Sequence, residues 1–204
     1  MTPPAPEPPA ADARPIAITL GDPCGIGPEI VLKACADRSI AMPLRVVGDA
    51  GLLAREAARL GLPMPARIDS IVDLPVDLRV GQVDARAGDA AWRFIVHAAG
   101  LALRGEVRAV VTAPIAKEAM HAAGHRFPGH TELLAELAGG ADVRMMLANP
   151  ELRTVLVSIH VSLRDALDRV TRDNVLQTIV IADAALRRAG IARPRIAVAG
   201  LNPH

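Results

Sequence analysis

Apolar residues recur along the chain in two alternating patterns, which together predict an α/β protein with a mostly parallel sheet. Short β-branched runs predict strands, and apolar positions three or four residues apart predict amphipathic helices. The predicted strands cover residues 16–20, 44–47, 107–111, 143–148, 154–160 and 195–199. The predicted helices cover residues 28–37, 52–60, 92–103, 115–123 and 131–138, followed by a short helix opened by Ser162 and a long one carrying residues 175–186. Regular alternation of this kind is typical of βαβ units.

The composition narrows the kind of core and the kinds of partner. Hydrophobic residues make up 51% of the 204 residues and aromatic residues only 1%, so the core must consist of Ala, Val, Leu and Ile. Few aromatic rings and a net charge of +1 argue against a nucleic-acid partner, because neither base stacking nor a basic field is available. No apolar run reaches the roughly 18 residues that a membrane span needs, so we expect no membrane partner.

The distribution of residues along the chain predicts a tail and two domains. Residues 1–15 include six prolines and no apolar stretch, which predicts a disordered tail and not a signal or transit peptide. We expect a first α/β domain over residues 16–128 and a second over residues 129–204. The last predicted strand is followed by a loop of the kind that carries functional groups in α/β proteins. No helix follows to cover that strand. The second domain is therefore expected to be incomplete, as if the chain were truncated at its C-terminus.

The two cysteines predict a reducing compartment. Cys24 and Cys35 form neither a CxxC pair nor a disulfide framework, so we expect a cytoplasmic protein. Cys24 lies at the start of a predicted helix, where a nucleophilic thiolate is conceivable. No histidine accompanies it in the sequence, and we interpret it as a small apolar filler.

A glycine-rich segment, TLGDPCGIGPE, joins the first strand to the first helix at residues 19–29. Backbone N–H groups at such a junction can bind an anion. Gly25 and Gly27 match the first two glycines of the dinucleotide-binding motif GxGxxG. Asp49 follows the next predicted strand, at about the sequence separation expected of an acidic residue that binds the ribose. Ile30 replaces the third glycine, however, and no Walker A lysine follows. The segment therefore remains either a dinucleotide site, a tight structural turn or another ligand loop.

Two further loops carry polar groups into predicted helices. Residues 112–117, TAPIAK, end at Lys117, one of only two lysines in the chain, which could bind a phosphate or carboxylate. Gly129, His130 and Thr131 place an imidazole and a hydroxyl where a helix begins, a position that suits anions. The alternatives are a solvated lysine and an ordinary helix cap.

His160 and His204 each follow a predicted strand. If those strands are parallel neighbours, both imidazoles reach the same edge of a sheet, where α/β proteins bind ligands. Two histidines can hold Zn²⁺ or a similar ion, although a catalytic site usually needs a third protein ligand. The competing interpretation is that each histidine is an unrelated polar residue.

Taken in order, these motifs resemble those of the 4-hydroxythreonine-4-phosphate dehydrogenase family of vitamin B6 biosynthesis. The resemblance runs from about residue 16 to the end of the chain, through residues 19–29, 112–117, 129–132, His160 and the final GLNPH. It implies a fold like that of isocitrate and isopropylmalate dehydrogenases, with two domains around a cleft, and a homodimer in the full-length form. The implied reaction oxidises and decarboxylates 4-phosphohydroxy-L-threonine to 3-amino-2-oxopropyl phosphate, using NAD or NADP and a divalent metal.

The resemblance also implies roles for particular residues. His130 and Thr131 match substrate-binding positions, to which the residue pattern adds Lys117. His160 and His204 match two of three metal-binding histidines, for Zn, Mg or Co. The third histidine and most nicotinamide contacts are expected in a part of the relatives that lies beyond this chain, so the glycine-rich loop is not assigned to NAD.

Three other functions stay open. A sister dehydrogenase acting on D-threonate or D-erythronate 4-phosphate would share the same motifs. A truncated, non-catalytic module that binds a phosphorylated ligand is a second alternative. A third is an acyl-phosphate transferase, which would need coenzyme A and has no support in the sequence.

Overall fold

A four-stranded parallel sheet forms the centre of the first of two compact units. A computed structural model describes residues 12–202, and the chain divides into one compact unit ending at Gly140 and another beginning at Ala141. The first unit contains, in chain order, β1 (Ile16–Thr19), α1 (Gly27–Ala36), β2 (Leu44–Gly48), α2 (Ala50–Leu60), β3 (Ile68–Ser70), α3 (Ala85–Leu103), β4 (Ala109–Thr112), α4 (Lys117–Ala122) and α5 (His130–Leu137). The strand order is β3-β2-β1-β4, and every pairing is parallel.

β1 lies between β2 and β4 and sets the register of the sheet. Thr19 lies opposite Val47 on one side and Thr112 on the other. Because the strands are parallel, the segments that follow β1, β2 and β4 all leave the sheet at its carboxyl edge, where open α/β folds bind ligands. The predicted α/β class is confirmed, as are the strands predicted over residues 16–20, 44–47 and 107–111, within one or two residues.

The core of this unit is aliphatic, as the composition predicts. Leu20, Val46 and Val47 of the strand segments are completely buried, together with Leu53 of α2 and Phe94 of α3. Residues of α1 belong to the same cluster. Burying one such side chain contributes about 1.5–3 kcal/mol, so the sheet and these helices are held together as one packed body.

α5 belongs to this first unit. Leu133 of α5 is buried in a cluster with Ile95 of α3 and Met120 of α4. The predicted domain boundary lies after residue 128, whereas the division in the structure follows Gly140. The difference arises because α5 packs on the helices that precede it in the chain.

The second unit contains a short antiparallel hairpin and two helices. Its elements are β5 (Met146–Ala148), β6 (Arg153–Val155), α6 (Leu163–Arg169) and α7 (Arg172–Arg188). Met146 pairs with Val155 in the hairpin. The predicted capping box that opens α6 is confirmed, because the Ser162 hydroxyl accepts the Asp165 N–H at 3.2 Å.

The strand predicted over residues 195–199 is wrong, since these residues have no regular secondary structure. A strand needs a neighbour to pair its N–H and C=O groups, and β6 pairs only with β5 among the described residues. The apolar residues of segment 191–201 instead line a cavity of about 800 Å³ that is shared with α7 and residues 151–157. The strands predicted over residues 143–148 and 154–160 are present only as the three-residue β5 and β6.

No helix within residues 12–202 is long and apolar enough to cross a membrane. The predicted tail, residues 1–15, lies mostly outside the described residues.

The contact between α3 and α4 yields a stability prediction. A Cβ at Gly88 would lie 2.1 Å from the backbone carbonyl oxygen of Ala119, which cannot move without shifting α4. We therefore expect Gly88→Ala to lower the free energy of unfolding by about 2 kcal/mol. Gly100→Ala, on the same helix, is the matched control. Its Cβ meets only the flexible end of Arg104 at 3.1 Å, and removal of a helical glycine should stabilise by about 0.5–1 kcal/mol. Urea denaturation of both variants measures the difference, and equal stabilities would contradict it.

Candidate functional site

The loop after β1 and the loop after β4 are joined at the carboxyl edge of the sheet. The Asp22 N–H donates to the Pro114 carbonyl oxygen at 2.9 Å. Gly21 has φ +66°, and a Cβ there would lie 2.2 Å from the same oxygen. Glycine is required both for the left-handed backbone and for this close approach. Two motifs that are far apart in the sequence, residues 19–29 and 112–117, are therefore adjacent in the structure.

The glycine-rich loop is held by its own backbone and by a neighbouring segment. The Asp22 carboxylate accepts the Cys24 N–H at 2.9 Å, and the Cys24 carbonyl accepts the Gly81 N–H at 2.7 Å. Burial raises the pKa of Asp22, and the nearby Asp84 carboxylate adds to that rise. Burial, together with the carboxylates of Asp22 and Asp84, also raises the pKa of Cys24. A thiol that stays protonated is a poor nucleophile, which supports its interpretation as a filler.

Asp49 is a structural residue, and its contacts argue against the dinucleotide interpretation. It is 1% exposed, and it is the N-cap of α2. One carboxylate oxygen accepts the Leu52 N–H, and the other accepts the Leu74 N–H at 2.9 Å. A ribose ligand needs a carboxylate that is free to accept hydroxyl protons. The residues after β1 and β2 therefore do not fit a nicotinamide dinucleotide in the manner of a Rossmann fold.

Lys117 is exposed at the first position of α4, at the end of the loop that touches Gly21. It pairs with no carboxylate within residues 12–202, and its charge is available to an anion. The structure thus places Lys117 beside the carboxyl edge of the sheet, where the sequence predicted a ligand group.

His130 and Thr131 begin α5, and both are half-buried. The Nε2 atom of His130 is buried and has no hydrogen-bond partner among the described residues. Burial lowers the pKa of His130, so the ring is neutral near pH 7. An unpaired buried polar atom costs about 1–3 kcal/mol, and a ligand that completes this hydrogen bond would recover that free energy.

Thr19 has the same property, and the sequence analysis did not single it out. Its hydroxyl is buried at the end of β1 and has no hydrogen-bond partner within residues 12–202. The available signal was a polar residue that closes an otherwise apolar run, Ile16 to Thr19. Such a residue is equally common as a simple strand end, so the pattern alone does not distinguish the two.

The second unit contains His160, which is exposed and lies just after the segment that includes β6. Its φ of +55° is the only positive value at a non-glycine position within residues 12–202. Strained backbone of this kind costs about 1–3 kcal/mol and is often found at functional sites. His204 lies outside the described residues, so the pairing of the two imidazoles stays a prediction.

His160 and His204 do not follow two parallel neighbouring strands, which was the condition under which the sequence placed both imidazoles at one sheet edge. β6 pairs antiparallel with β5, and residues 195–199 form no strand. Within residues 12–202, no group of three His, Cys, Asp or Glu side chains is placed to hold a metal ion. The described residues therefore supply one imidazole of the predicted metal site.

Comparison with known proteins gives consistent matches along nearly the whole chain. The family model of the pyridoxal phosphate biosynthetic protein PdxA matches residues 26–204. A D-threonate 4-phosphate dehydrogenase of Salmonella typhimurium is 43% identical over 95% of this chain and 65% of its own length. A 4-hydroxythreonine-4-phosphate dehydrogenase of Beijerinckia indica is 46% identical over 94% of this chain and 61% of its own length.

Solved structures agree with these matches. The crystal structure of a 4-hydroxythreonine-4-phosphate dehydrogenase from Klebsiella pneumoniae has a TM-score of 0.84 and 44% identity, over 95% of this chain and 64% of that one. The chain thus spans somewhat less than two thirds of the length of the relatives that it matches.

The half-buried ring of His130 generates a pH prediction. Because burial lowers its pKa from the ordinary 6.5, the folded protein binds fewer protons than the unfolded chain between the lowered pKa and pH 6.5. The stability associated with the neutral ring is therefore complete above pH 6.5 and is lost as the pH falls towards the lowered pKa. We expect NMR titration to give a His130 pKa below 6.5, and His130→Gln to reduce the loss of stability in this window. A His130 pKa at or above 6.5 would contradict the burial argument.

Proposed function

The chain belongs to the PdxA family, and from this membership we propose that it acts in a metal-dependent, NAD(P)-linked dehydrogenase of a phosphorylated hydroxy acid. The first candidate substrate is 4-phosphohydroxy-L-threonine, oxidised and decarboxylated to 3-amino-2-oxopropyl phosphate during pyridoxal phosphate synthesis. We further propose a cytoplasmic homodimer, in which two α/β domains enclose a cleft as in isocitrate and isopropylmalate dehydrogenases.

One observation carries the substrate proposal, namely the buried and unpaired Nε2 of His130 at the start of α5. A neutral imidazole can donate to a substrate oxygen or accept from a substrate hydroxyl, depending on its tautomer. The N-cap Gly129 has no side chain to cap the helix, so backbone N–H groups of the first turn can also meet an anion. Thr131 adds a hydroxyl at the same point.

Lys117 supplies positive charge for the proposed substrate. It begins α4, and α4 and α5 share one apolar cluster through Met120 and Leu133. Both binding elements are thus fixed to the same face of α3, around Ile95. An exposed ammonium group on α4 and a neutral imidazole on α5 suit a phosphate or carboxylate better than an uncharged alcohol.

His160 and His204 are proposed as two metal ligands. Imidazole donors suit Zn²⁺ or Co²⁺ better than Mg²⁺, which prefers oxygen ligands. When bound, such an ion would supply Lewis-acid stabilisation of the substrate oxygen. Residues 12–202 hold no complete set of three ligands, and we propose that a further histidine comes from a partner subunit.

D-threonate 4-phosphate is the second candidate substrate, and the similarity of this chain to known dehydrogenases supports it. Relatives named for D-threonate 4-phosphate and for 4-hydroxythreonine-4-phosphate are similar to this chain to nearly the same degree, at 43% and 46% identity. The groups proposed to bind, His130, Thr131 and Lys117, recognise features that both compounds share. D-erythronate 4-phosphate belongs to the same class.

The choice of substrate is tested by direct competition. We expect the protein, supplied with Co²⁺ and either NAD or NADP, to reduce the nucleotide faster with 4-phosphohydroxy-L-threonine than with D-threonate 4-phosphate or D-erythronate 4-phosphate. Absorbance at the reduced nicotinamide band measures the rates. Faster turnover of a sugar-acid phosphate would replace the first candidate. Binding of either compound without turnover would instead identify a non-catalytic ligand-binding module.

The metal proposal is tested by binding and not by activity. We expect the affinity for Co²⁺, measured by equilibrium dialysis, to fall at least about tenfold in His160→Ala and in His204→Ala, a loss of about 1.4 kcal/mol. His121→Ala is the matched control, because His121 is an exposed histidine of α4 outside the proposed site. An unchanged affinity in both test variants would remove these residues as ligands.

A further inference from the structure

The connection between α4 and α5 leads directly to the proposed substrate residues, and side chains of α3 anchor it. Residues 123–129 form this connection, and several of them are exposed. Such a segment would move freely unless side chains fixed it to the body of the unit. Its anchoring therefore bears on where His130 is held.

His125 is the first anchor. Its ring stacks on the ring of Trp92 of α3, with centroids 4.2 Å apart and planes 6° from parallel. Its Nε2 lies 2.9 Å from a carboxylate oxygen of Asp89, which is one turn before Trp92 on α3. Asp89 is itself paired with Arg93 at 2.8 Å. The stack thus fixes the orientation of the imidazole plane, and the contact with Asp89 fixes the rotation of the ring within that plane.

The remainder of the connection is held in the same direction. Phe127 packs against the cluster of Ile95, Met120 and Leu133. The Nε2 of His121 lies 3.4 Å from the Phe127 carbonyl oxygen. Only four residues separate His125 from His130, so fixing His125 on one side and Leu133 on the other leaves the intervening turn little freedom.

We propose that Asp89, Trp92 and His125 form a clamp that positions the Gly129–Thr131 turn for substrate binding. This inference rests on the proposed function of His130. The three residues are positioning residues, since their contacts are with the connection and not with the unpaired Nε2. A displacement of about 1 Å at a binding group is enough to weaken recognition severely, so the clamp adds to affinity without touching the substrate.

Trp92 provides a local reporter, because it is the only tryptophan in the chain. Removing the stacked ring in His125→Ala should increase the quenching of tryptophan fluorescence by acrylamide. His125→Phe keeps an aromatic ring for the stack but loses the bond to Asp89. We expect its quenching to stay close to that of the unaltered protein. Equal quenching in all three proteins would show that the stack is absent.

The decisive measurements are the dissociation constants of 4-phosphohydroxy-L-threonine and D-threonate 4-phosphate, by calorimetry, and the pKa of His130, by NMR. In His125→Ala and Asp89→Ala we expect affinity for the ligand to fall about tenfold. The pKa of His130 should rise towards 6.5 as the turn loosens and water reaches the ring. Asp89→Asn keeps an oxygen that can accept from His125, and it should restore most of the affinity.

Two controls separate positioning from general destabilisation. Asp69→Ala removes a carboxylate that pairs with a different histidine, His97 of α3, at 2.8 Å and with Arg45 at 2.8 Å, but it leaves the clamp intact. Asp183→Ala removes a pair with Arg187 four residues on, equivalent to the Asp89–Arg93 pair. We expect neither to change the His130 pKa, although Asp69→Ala should lower stability.

The outcomes distinguish the clamp from the proposed function. If His130→Ala abolishes binding while His125→Ala and Asp89→Ala bind normally with an unchanged His130 pKa, the clamp is overturned and the function stands. If the unaltered protein binds neither compound, the proposed function fails. The clamp is then judged on the His130 pKa, which must still rise in both variants. A rise of the same size in Asp69→Ala would also overturn it.

Discussion

The close backbone approach between the loops after β1 and β4 is the constraint on which the rest of the first unit depends. Gly21 can lie against the Pro114 carbonyl only because it has no Cβ. Gly27 meets the same requirement at the start of α1, where a Cβ would lie 1.9 Å from the Leu20 carbonyl oxygen. These two glycines allow the glycine-rich loop to pack closely against the end of the sheet. They explain why the loop is rich in glycine without any need for a bound dinucleotide.

Hydrogen-bond satisfaction separates structural from functional polar residues at this edge of the sheet. Asp49 uses both carboxylate oxygens on backbone N–H groups and has nothing left for a ligand. The Nε2 atom of His130 and the hydroxyl of Thr19 are buried and have no hydrogen-bond partner among the described residues. Native interiors seldom leave such groups unpaired, because each costs about 1–3 kcal/mol. The same argument that removes Asp49 from the candidate site therefore supports His130 as a member of it.

The two units differ in how completely they bury their apolar residues. Completely buried side chains from the sheet and from helices α2 and α3 fill the first unit, whereas in the described part of the second unit only Thr178 and Ala182 are buried. An apolar cavity lies beside α7, and residues 195–199 pair with no strand in the part of the chain that the structure describes. The match of the family model to residues 26–204 shows the family. The activity of the whole protein is a proposal, because the chain spans 61–65% of the length of its curated relatives.

The sequence by itself determined the α/β class, the three longer strands of the parallel sheet, the capping of α6 by Ser162 and the family. These follow from local rules, namely side-chain periodicity, cap chemistry and the order of short motifs. Only the tertiary structure decided that both carboxylate oxygens of Asp49 accept backbone N–H groups, that His125 stacks on Trp92, and that residues 195–199 do not pair with another strand. Those outcomes depend on which distant segments meet: Asp49 needs Leu74, His125 needs α3, and a strand needs a neighbour. Nothing in a local pattern specifies such partners, because a hydrogen bond or a stacked ring is satisfied by whichever segment the packing of the chain brings to it.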